Sequence, residues 1–218
     1  MKQNKFIPYP SSLEVNVLIK IHPKNPEPRL IKMAVEILQN DGVIAYPTDT
    51  VYGFGCSIFS KKGIDRIRQL KNLDPKKPIS IVCHDLSDIS KYAIVSNYAY
   101  RAMKRLLPGP FTFVLLATRE VPRMMQNKQK QVGIRIPDSP ISLSIVRELG
   151  HPIVTSSAHI PGHDLFSDPE DIEKVLGQSL DAVIDGGIFT GGHSSIVELR
   201  EDSAVILREG KGDVSLFE

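Results

Sequence analysis

Apolar positions along the chain switch repeatedly between a helical and a strand-like spacing. In "PEPRLIKMAVEILQNDG", residues 26–42, Leu30, Ala34, Ile37 and Leu38 fall on one side of a helix expected to stop near Gly42. "KKGIDRIRQLK" (61–71) predicts a second helix, with Ile64, Ile67 and Leu70 inward and its basic residues outward. "LSDISKYA" and "SNYAYRAMKRLL" follow, the latter closed by Pro108-Gly109-Pro110, and "PISLSIVRELG" (140–150) carries its own glycine stop. "SDPEDIEKVLG" (167–177) has Asp168 as N-cap, Pro169 at the first helical position and Gly177 as terminator. Between these lie short β-branched runs that read as strands: "LEVNVLIKI" (13–21), "GVIAY", "PISIVC" (78–83), "FTFVLLAT" (111–118), "VGIRI" (132–136), "PIVTSS", "DAVID", "SSIVEL" and "AVILRE". The alternation predicts an α/β fold. The last strands have no helices between them, so the sheet is expected to be mixed rather than purely parallel. No repeat, low-complexity tract or linker interrupts residues 1–218, which are expected to form a single domain.

Charge changes this picture. Residues 61–135 hold 16 Lys/Arg and 5 Asp/Glu, while the rest of the chain holds 11 and 20. A net charge of +2 therefore conceals a middle segment at +11 and flanks at −9. Such a segment predicts a positive surface suited to a polyanion, a nucleotide or an RNA. No run approaches the roughly 18 apolar residues of a membrane span, so no membrane partner is expected. The opening "MKQNKFIPYPSS" lacks the apolar centre of a secretory signal. Cys56 and Cys83 have no metal or disulfide spacing and read as small buried hydrophobes of a cytoplasmic protein.

Familiar catalytic signatures are missing. There is no G-x-x-x-x-G-K-[ST] and no G-x-S-x-G. His159 and His163 are separated by Pro161-Gly162, so no helix presents both to a metal, and no metal site is expected. What stands out is "GVIAYPTDTVYGFGC" (42–56), a strand that breaks at Pro47 into small polar residues, Tyr52 and two glycines. Further polar residues follow other predicted strands or sit in loops: Lys71, Lys76 and Lys77 in "KNLDPKKP", Thr112 after "PGPF", and Ser156, Ser157 and His159 after "PIVT". Arg135 alternates with Ile134 and Ile136, so it either reaches an exposed face or is buried against an anion. Together these groups predict a crevice at the carboxyl ends of strands, where open α/β sheets bind ligands. Lysines, an arginine and hydroxyls suit phosphate oxygens.

The ordered set "YPTDTVYGFG", "PGPFTF", "VGIRIPDSP", "PIVTSSAHIPG" and "REGKGD" resembles the YrdC-type threonylcarbamoyl-adenylate synthase family, from about Leu30 to the C-terminus. "RIRQL" (66–70), "DLSDISKY" (85–92), "TREVPR" (118–123) and "REGKGDV" (208–214) are similar to its YciO branch. The resemblance implies a twisted mixed sheet flanked by helices around a large, basic central cavity. It implies a nucleotidyltransferase that joins threonine, bicarbonate and ATP into threonylcarbamoyl-AMP with release of pyrophosphate, for tRNA modification. Mg²⁺ would accompany ATP, with no tightly bound metal, and double-stranded RNA or tRNA is a further partner implied by the family.

By the same resemblance, Thr48 and Tyr52 face threonine, and Thr112 and Arg135 face the acyl-adenylate and its phosphate. Ser157 touches the nucleotide, which Ser194 and Arg208 help to hold. From the residues themselves Lys71 is expected to be catalytic together with Arg135, His159 to border the substrate, and Lys76 and Lys77 to contact phosphate as point charges. The chain departs from the synthases at two points. Their Lys-x-Arg is Lys71-Asn72-Leu73 here, and their Ser-x-Asn is Ser157-Ala158-His159. Leucine supplies neither the planar donor fork nor the charge of arginine, so weakened catalysis is expected. The second expectation is an RNA- or nucleotide-binding protein of the same fold without the chemistry.

Overall fold

The computed structural model describes residues 18–74 and 79–218. In chain order the elements are β1 (Leu18–Lys20), α1 (Pro28–Gln39), β2 (Ile44–Tyr46), β3 (Gly53–Ser57), α2 (Lys61–Leu70), β4 (Ser80–Val82), α3 (Leu86–Tyr92) and α4 (Asn97–Leu106). They continue as β5 (Phe111–Leu116), β6 (Gln131–Arg135), α5 (Pro140–Leu149), β7 (Ile153–Ser157), α6 (Pro169–Leu176), β8 (Ala182–Asp185), β9 (Ser195–Leu199) and β10 (Ala204–Arg208). The strands form one sheet in the order β1-β8-β2-β3-β7-β4-β6-β5-β9-β10. The sheet is mixed: β1/β8, β2/β8, β4/β6 and β5/β9 are parallel pairs, and the remaining neighbours are antiparallel.

Side-chain alternation sorts the core into two clusters, one on each face. Phe54, Cys56, Ile81, Phe113, Ile134, Val154 and Val197 pack with Ile64 and Ile67 of α2, Ile89 of α3, Met103 of α4 and Ile172 of α6. On the other face Ile19, Ile44, Tyr46, Val82, Ile153 and Ile184 pack under α1 and α5. Among the described residues, β5, β6, β9 and β10 contribute nothing to this second cluster. Helices α1 and α5 therefore cover only part of their face. The remainder of that face carries Thr112, Val114, Gly133, Arg135, Ile196 and Arg208, by the pairing of Val114 with Gly133, Thr112 with Ile196 and Arg208 with Ile196.

Local signals explain most element ends. Ser60, Asp85, Ser96, Ser139 and Asp168 each cap a helix by accepting a backbone N–H, and Gly150 (φ 77°) ends α5 in the left-handed region. Three readings change. The first helix ends at Gln39, with Asp41 (φ 63°) rather than Gly42 in the left-handed region, and its buried side is Ile31, Ala34, Val35 and Leu38. Gly177 does not stop α6 but continues into a 3-10 turn, Gly177–Ser179. Arg68, expected outside α2, is buried and donates to the Met124 carbonyl at 2.6 Å. The start of the first predicted strand, residues 13–17, and the lysine loop at 75–78 lie outside the described residues. No described helix is long and apolar enough to cross a membrane, and Cys56 and Cys83 are buried thiols whose pKa burial pushes up.

Candidate functional site

The aromatic–glycine run after Pro47 is itself a strand. Gly53 and Gly55 lie in β3, opposite Tyr46 and Ile44 of β2 and Ser157 and Thr155 of β7. Glycine is a poor strand former, and here it marks a close approach. The Tyr46 ring lies across both glycines: a Cβ on Gly55 would stand 2.8 Å from its Cε1, and one on Gly53 3.3 Å away. The Tyr46 hydroxyl donates to Thr155 Oγ1 at 2.6 Å, and burial pushes its pKa up to about 12. Gly133 continues this small-residue floor on β6, where an added Cβ would meet Ser80 Oγ at 2.4 Å and Thr112 Cγ2 at 3.1 Å.

Residues 47–52 form a tightly held loop at one end of that floor. The Pro47 carbonyl accepts from Ser142 Oγ (2.6 Å) and Ser139 Oγ (3.3 Å) at the start of α5. Thr48 is buried and donates to the Val51 carbonyl at 2.6 Å, so its hydroxyl closes its own turn. The buried Tyr52 hydroxyl donates to the Gly187 carbonyl (2.7 Å) and accepts from Gly186 N (3.2 Å), while its ring meets Phe189 edge-on. Gly191 passes so near that a Cβ there would lie 2.3 Å from the Thr50 carbonyl oxygen. Lys211, which sequence reasoning did not single out, donates to the Asp49 carbonyl at 2.7 Å.

The candidate residues form two groups, one on this open face and one at the end of β7, reached from α2 on the other side of the sheet. In the first, Thr112 Oγ1 and Ser194 Oγ share a 2.8 Å hydrogen bond. Arg208 donates to the Ser194 carbonyl through Nη2 (2.8 Å) and Nε (3.1 Å). Arg135 is buried beside them and donates through Nη2 to Asp49 Oδ1 (2.9 Å) and Thr50 Oγ1 (3.0 Å). Its two sequence readings thus resolve in favour of the buried, anion-paired one. In the second group, Lys71 at the end of α2 reaches the Ser157 carbonyl, the His159 carbonyl (3.0 Å) and Ser157 Oγ (3.4 Å), with its Nζ 5.8 Å from the Phe54 ring centre. Lys76 and Lys77 lie outside the described residues.

Electrostatics links the two groups. Desolvation holds the His193 pKa below its ordinary 6.5, and the cations Arg208 and Lys71 and the ring of His159 push it the same way. Desolvation also lowers Arg208, with the charge of Arg135 as the next cause. His193 thus feels the positive charge of both groups, a residue whose loop position in "GGHSS" gave no sequence signal. The arrangement favours a bound anion.

The geometry corrects one expectation. Arg135 ends β6 and Ser157 ends β7, but β6 is parallel to β4 and β7 antiparallel to it. Their carboxyl ends therefore lie at opposite ends of the sheet, and Thr112 lies near the amino end of β5. Thr112, Arg135 and Arg208 share a face, Ser156 pairs opposite Phe54 on the other face and Lys71 approaches from that side, so the residues do not line one crevice along an edge, because the sheet is mixed. As for metals, His84, Asp85 and Asp88 cluster on the surface, but Asp85 caps α3, Asp88 pairs with Lys91 and His84 accepts from Arg147.

A polar floor of glycine, serine and threonine on one face of a mixed sheet, with Arg135, Arg208 and Lys211 beside it, defines an α/β protein with a basic polar face. Comparison with known proteins makes this specific. The model of the Sua5/YciO/YrdC family, described as telomere recombination, matches residues 36–210, and the chain belongs to that family. YciO of Escherichia coli K12 is 42% identical over 199 residues, 90% of this chain and 97% of that protein. Its crystal structure superimposes with a TM-score of 0.88 at 40% identity, covering 93% of this chain and 99% of the other. A putative threonylcarbamoyl-AMP synthase of Methanocaldococcus jannaschii is 33% identical over 202 residues, 89% of this chain and 93% of that protein. The crystal structure of P. abyssi Sua5 complexed with L-threonine superimposes with a TM-score of 0.83 at 27% identity, covering 89% of this chain and 57% of that one.

Proposed function

We propose that the open face binds a nucleotide through its phosphates and that the protein is a threonylcarbamoyl-AMP synthase of reduced power. The observation that carries this reading is the placement of Arg135, Arg208 and Lys211 beside a floor of hydroxyls and glycines, with Lys71 at the end of the neighbouring strand β7. Relatives support the reaction type, one of them a putative threonylcarbamoyl-AMP synthase and one a Sua5 holding threonine. In such a reaction a carbamate oxygen attacks the α-phosphate of ATP and pyrophosphate departs. Catalysis is then mainly positioning, with cations facing the charge that spreads over the phosphoryl oxygens. Arg135 and Arg208 serve that charge, and Thr112 and Ser194 donate to phosphate oxygens. Lys71 orders the end of β7, where Ser157 and His159 border the substrate, with Lys76 and Lys77 as further phosphate contacts. Thr48 and Tyr52 shape the wall that meets threonine.

The face is rich in cations and its carboxylate, Asp49, is committed to Arg135. That donor set suits a Mg²⁺ ion carried in by ATP phosphates rather than a resident protein-caged metal. Reduced power follows from Leu73, which occupies the motif-arginine position and packs against the apolar core instead of offering a cation. Purified protein given ATP, threonine and bicarbonate is expected to release pyrophosphate slowly, and only when all three are present. ATP-only hydrolysis, or no release with ATP demonstrably bound, contradicts the synthase reading. The second reading, a non-catalytic RNA- or nucleotide-binding protein, is favoured by the same loss of arginine together with the +11 charge of residues 61–135.

A further inference from the structure

Arg135 and Asp49 form a buried ion pair that falls short of its own best geometry. Their side chains are 9% and 8% exposed, so both charges are withdrawn from water. Arginine and carboxylate pair best through two parallel hydrogen bonds that use both carboxylate oxygens. Here a single nitrogen, Nη2, serves both Asp49 Oδ1 and Thr50 Oγ1. Asp49 Oδ2 and Arg135 Nε are buried without a hydrogen-bond partner. Unmatched buried polar atoms cost on the order of 1–3 kcal/mol each, which leaves the pair easy to exchange for a better one.

Two neighbours show where the exchange would occur. The guanidinium of Arg135 is close enough to act on that of Arg208, whose pKa it lowers. The Asp49 carbonyl is pinned by Lys211 and the following residue lies under Gly191, so a carboxylate that leaves Arg135 does so by turning its side chain, without moving the loop.

We propose that Asp49 is the resident counter-anion of Arg135, and that a phosphoryl oxygen of an incoming polyphosphate displaces it. Asp49 is then a specificity-determining residue. A simple carboxylate gains little by replacing another carboxylate. A di- or polyphosphate gains more, because it spans Arg135 and Arg208 together and brings additional charge. The proposal rests on the reading that places phosphates on this face, and adds what guards the face beforehand.

Titration calorimetry of inorganic pyrophosphate and of acetate, with wild type and Asp49→Asn, tests it. The variant is expected to bind pyrophosphate roughly five- to tenfold more tightly, the scale of a modest coupling between two sites, and to acquire measurable acetate binding. Unchanged or weaker pyrophosphate affinity in a folded variant overturns the proposal, as does failure of both proteins to bind pyrophosphate. If the variant does not fold, a wild-type structure with pyrophosphate decides. The 2.9 Å contact between Arg135 Nη2 and Asp49 Oδ1 is expected to be broken, and its persistence beside bound pyrophosphate overturns the proposal. Neither readout needs turnover, so an inert protein with this binding pattern sinks the synthase reading alone, and an active one without it sinks only the role of Asp49.

Discussion

The Tyr46 hydroxyl donates to Thr155 Oγ1 at 2.6 Å across the intervening strand β3, and the ring between them rests on Gly53 and Gly55. The glycines of "YGFG" are there because the space above them is taken. One side of the sheet can consequently be flat and polar next to a region packed under α1 and α5.

This makes glycine substitutions diagnostic. Gly55→Ala places a methyl 2.8 Å from Tyr46 Cε1 and 3.2 Å from the Val154 carbonyl, an overpacking expected to cost about 1–3 kcal/mol. Gly192→Ala meets nothing within 4 Å and is expected to leave stability unchanged. Urea unfolding of the two variants checks the contrast, and equal midpoints would count against the packing described.

Local chemistry was legible in the sequence. Asp168-Pro169 opens α6 and Gly150 closes α5 because capping and a left-handed stop depend on a few adjacent residues. The strand β3 was not legible, since two glycines erase the β-branched signal and only Tyr46, from the neighbouring strand, explains them. Nor did the sequence reveal which polar residues share a face, because that depends on the register of β6 against β4 and β5. Arg135 illustrates the boundary. Its alternation with Ile134 predicted a face opposite the core, but its partner, Asp49, lies 86 positions away and could be found only in three dimensions.

His193 supplies a pH prediction. Its pKa lies below the ordinary 6.5 in the folded protein, so the unfolded chain takes up the proton more readily. Its contribution to stability is therefore present above about pH 6.5 and diminishes as pH falls below that value. Because His193 is exposed, the effect on unfolding is expected to be small, and its own titration is the better readout. NMR of the imidazole should show a midpoint below 6.5 that moves upward when pyrophosphate is added, as the anion offsets Arg208 and Lys71. A midpoint above 6.5 without ligand contradicts the positive field.

Restoring the two motif positions should raise catalysis. A cation aimed at developing phosphoryl charge is worth roughly 3–4 kcal/mol, by analogy with an oxyanion-hole donor. Leu73→Arg with His159→Asn is expected to increase pyrophosphate release by about a hundredfold or more. The two are tested together because residues acting as a unit are not additive. A folded double variant that binds ATP yet remains inert favours the binding-protein reading.

RNA affinity, where present, should fall steeply as salt rises, since lysines and arginines release counterions from the phosphate backbone on association. Binding that is unchanged between low and physiological ionic strength contradicts an electrostatic contact made by the basic 61–135 segment.

The central claim is that phosphates occupy the face bearing Arg135 and Arg208, and a crystal structure of the protein with ATP and threonine tests it most directly. Phosphate oxygens are predicted within hydrogen-bond distance of both guanidinium groups, with Thr112 and Ser194 beside them and Lys71 still on the Ser157 carbonyl. Nucleotide seated instead on the outer, basic surfaces of α2 and α4, with the Arg135 face untouched, would contradict the account.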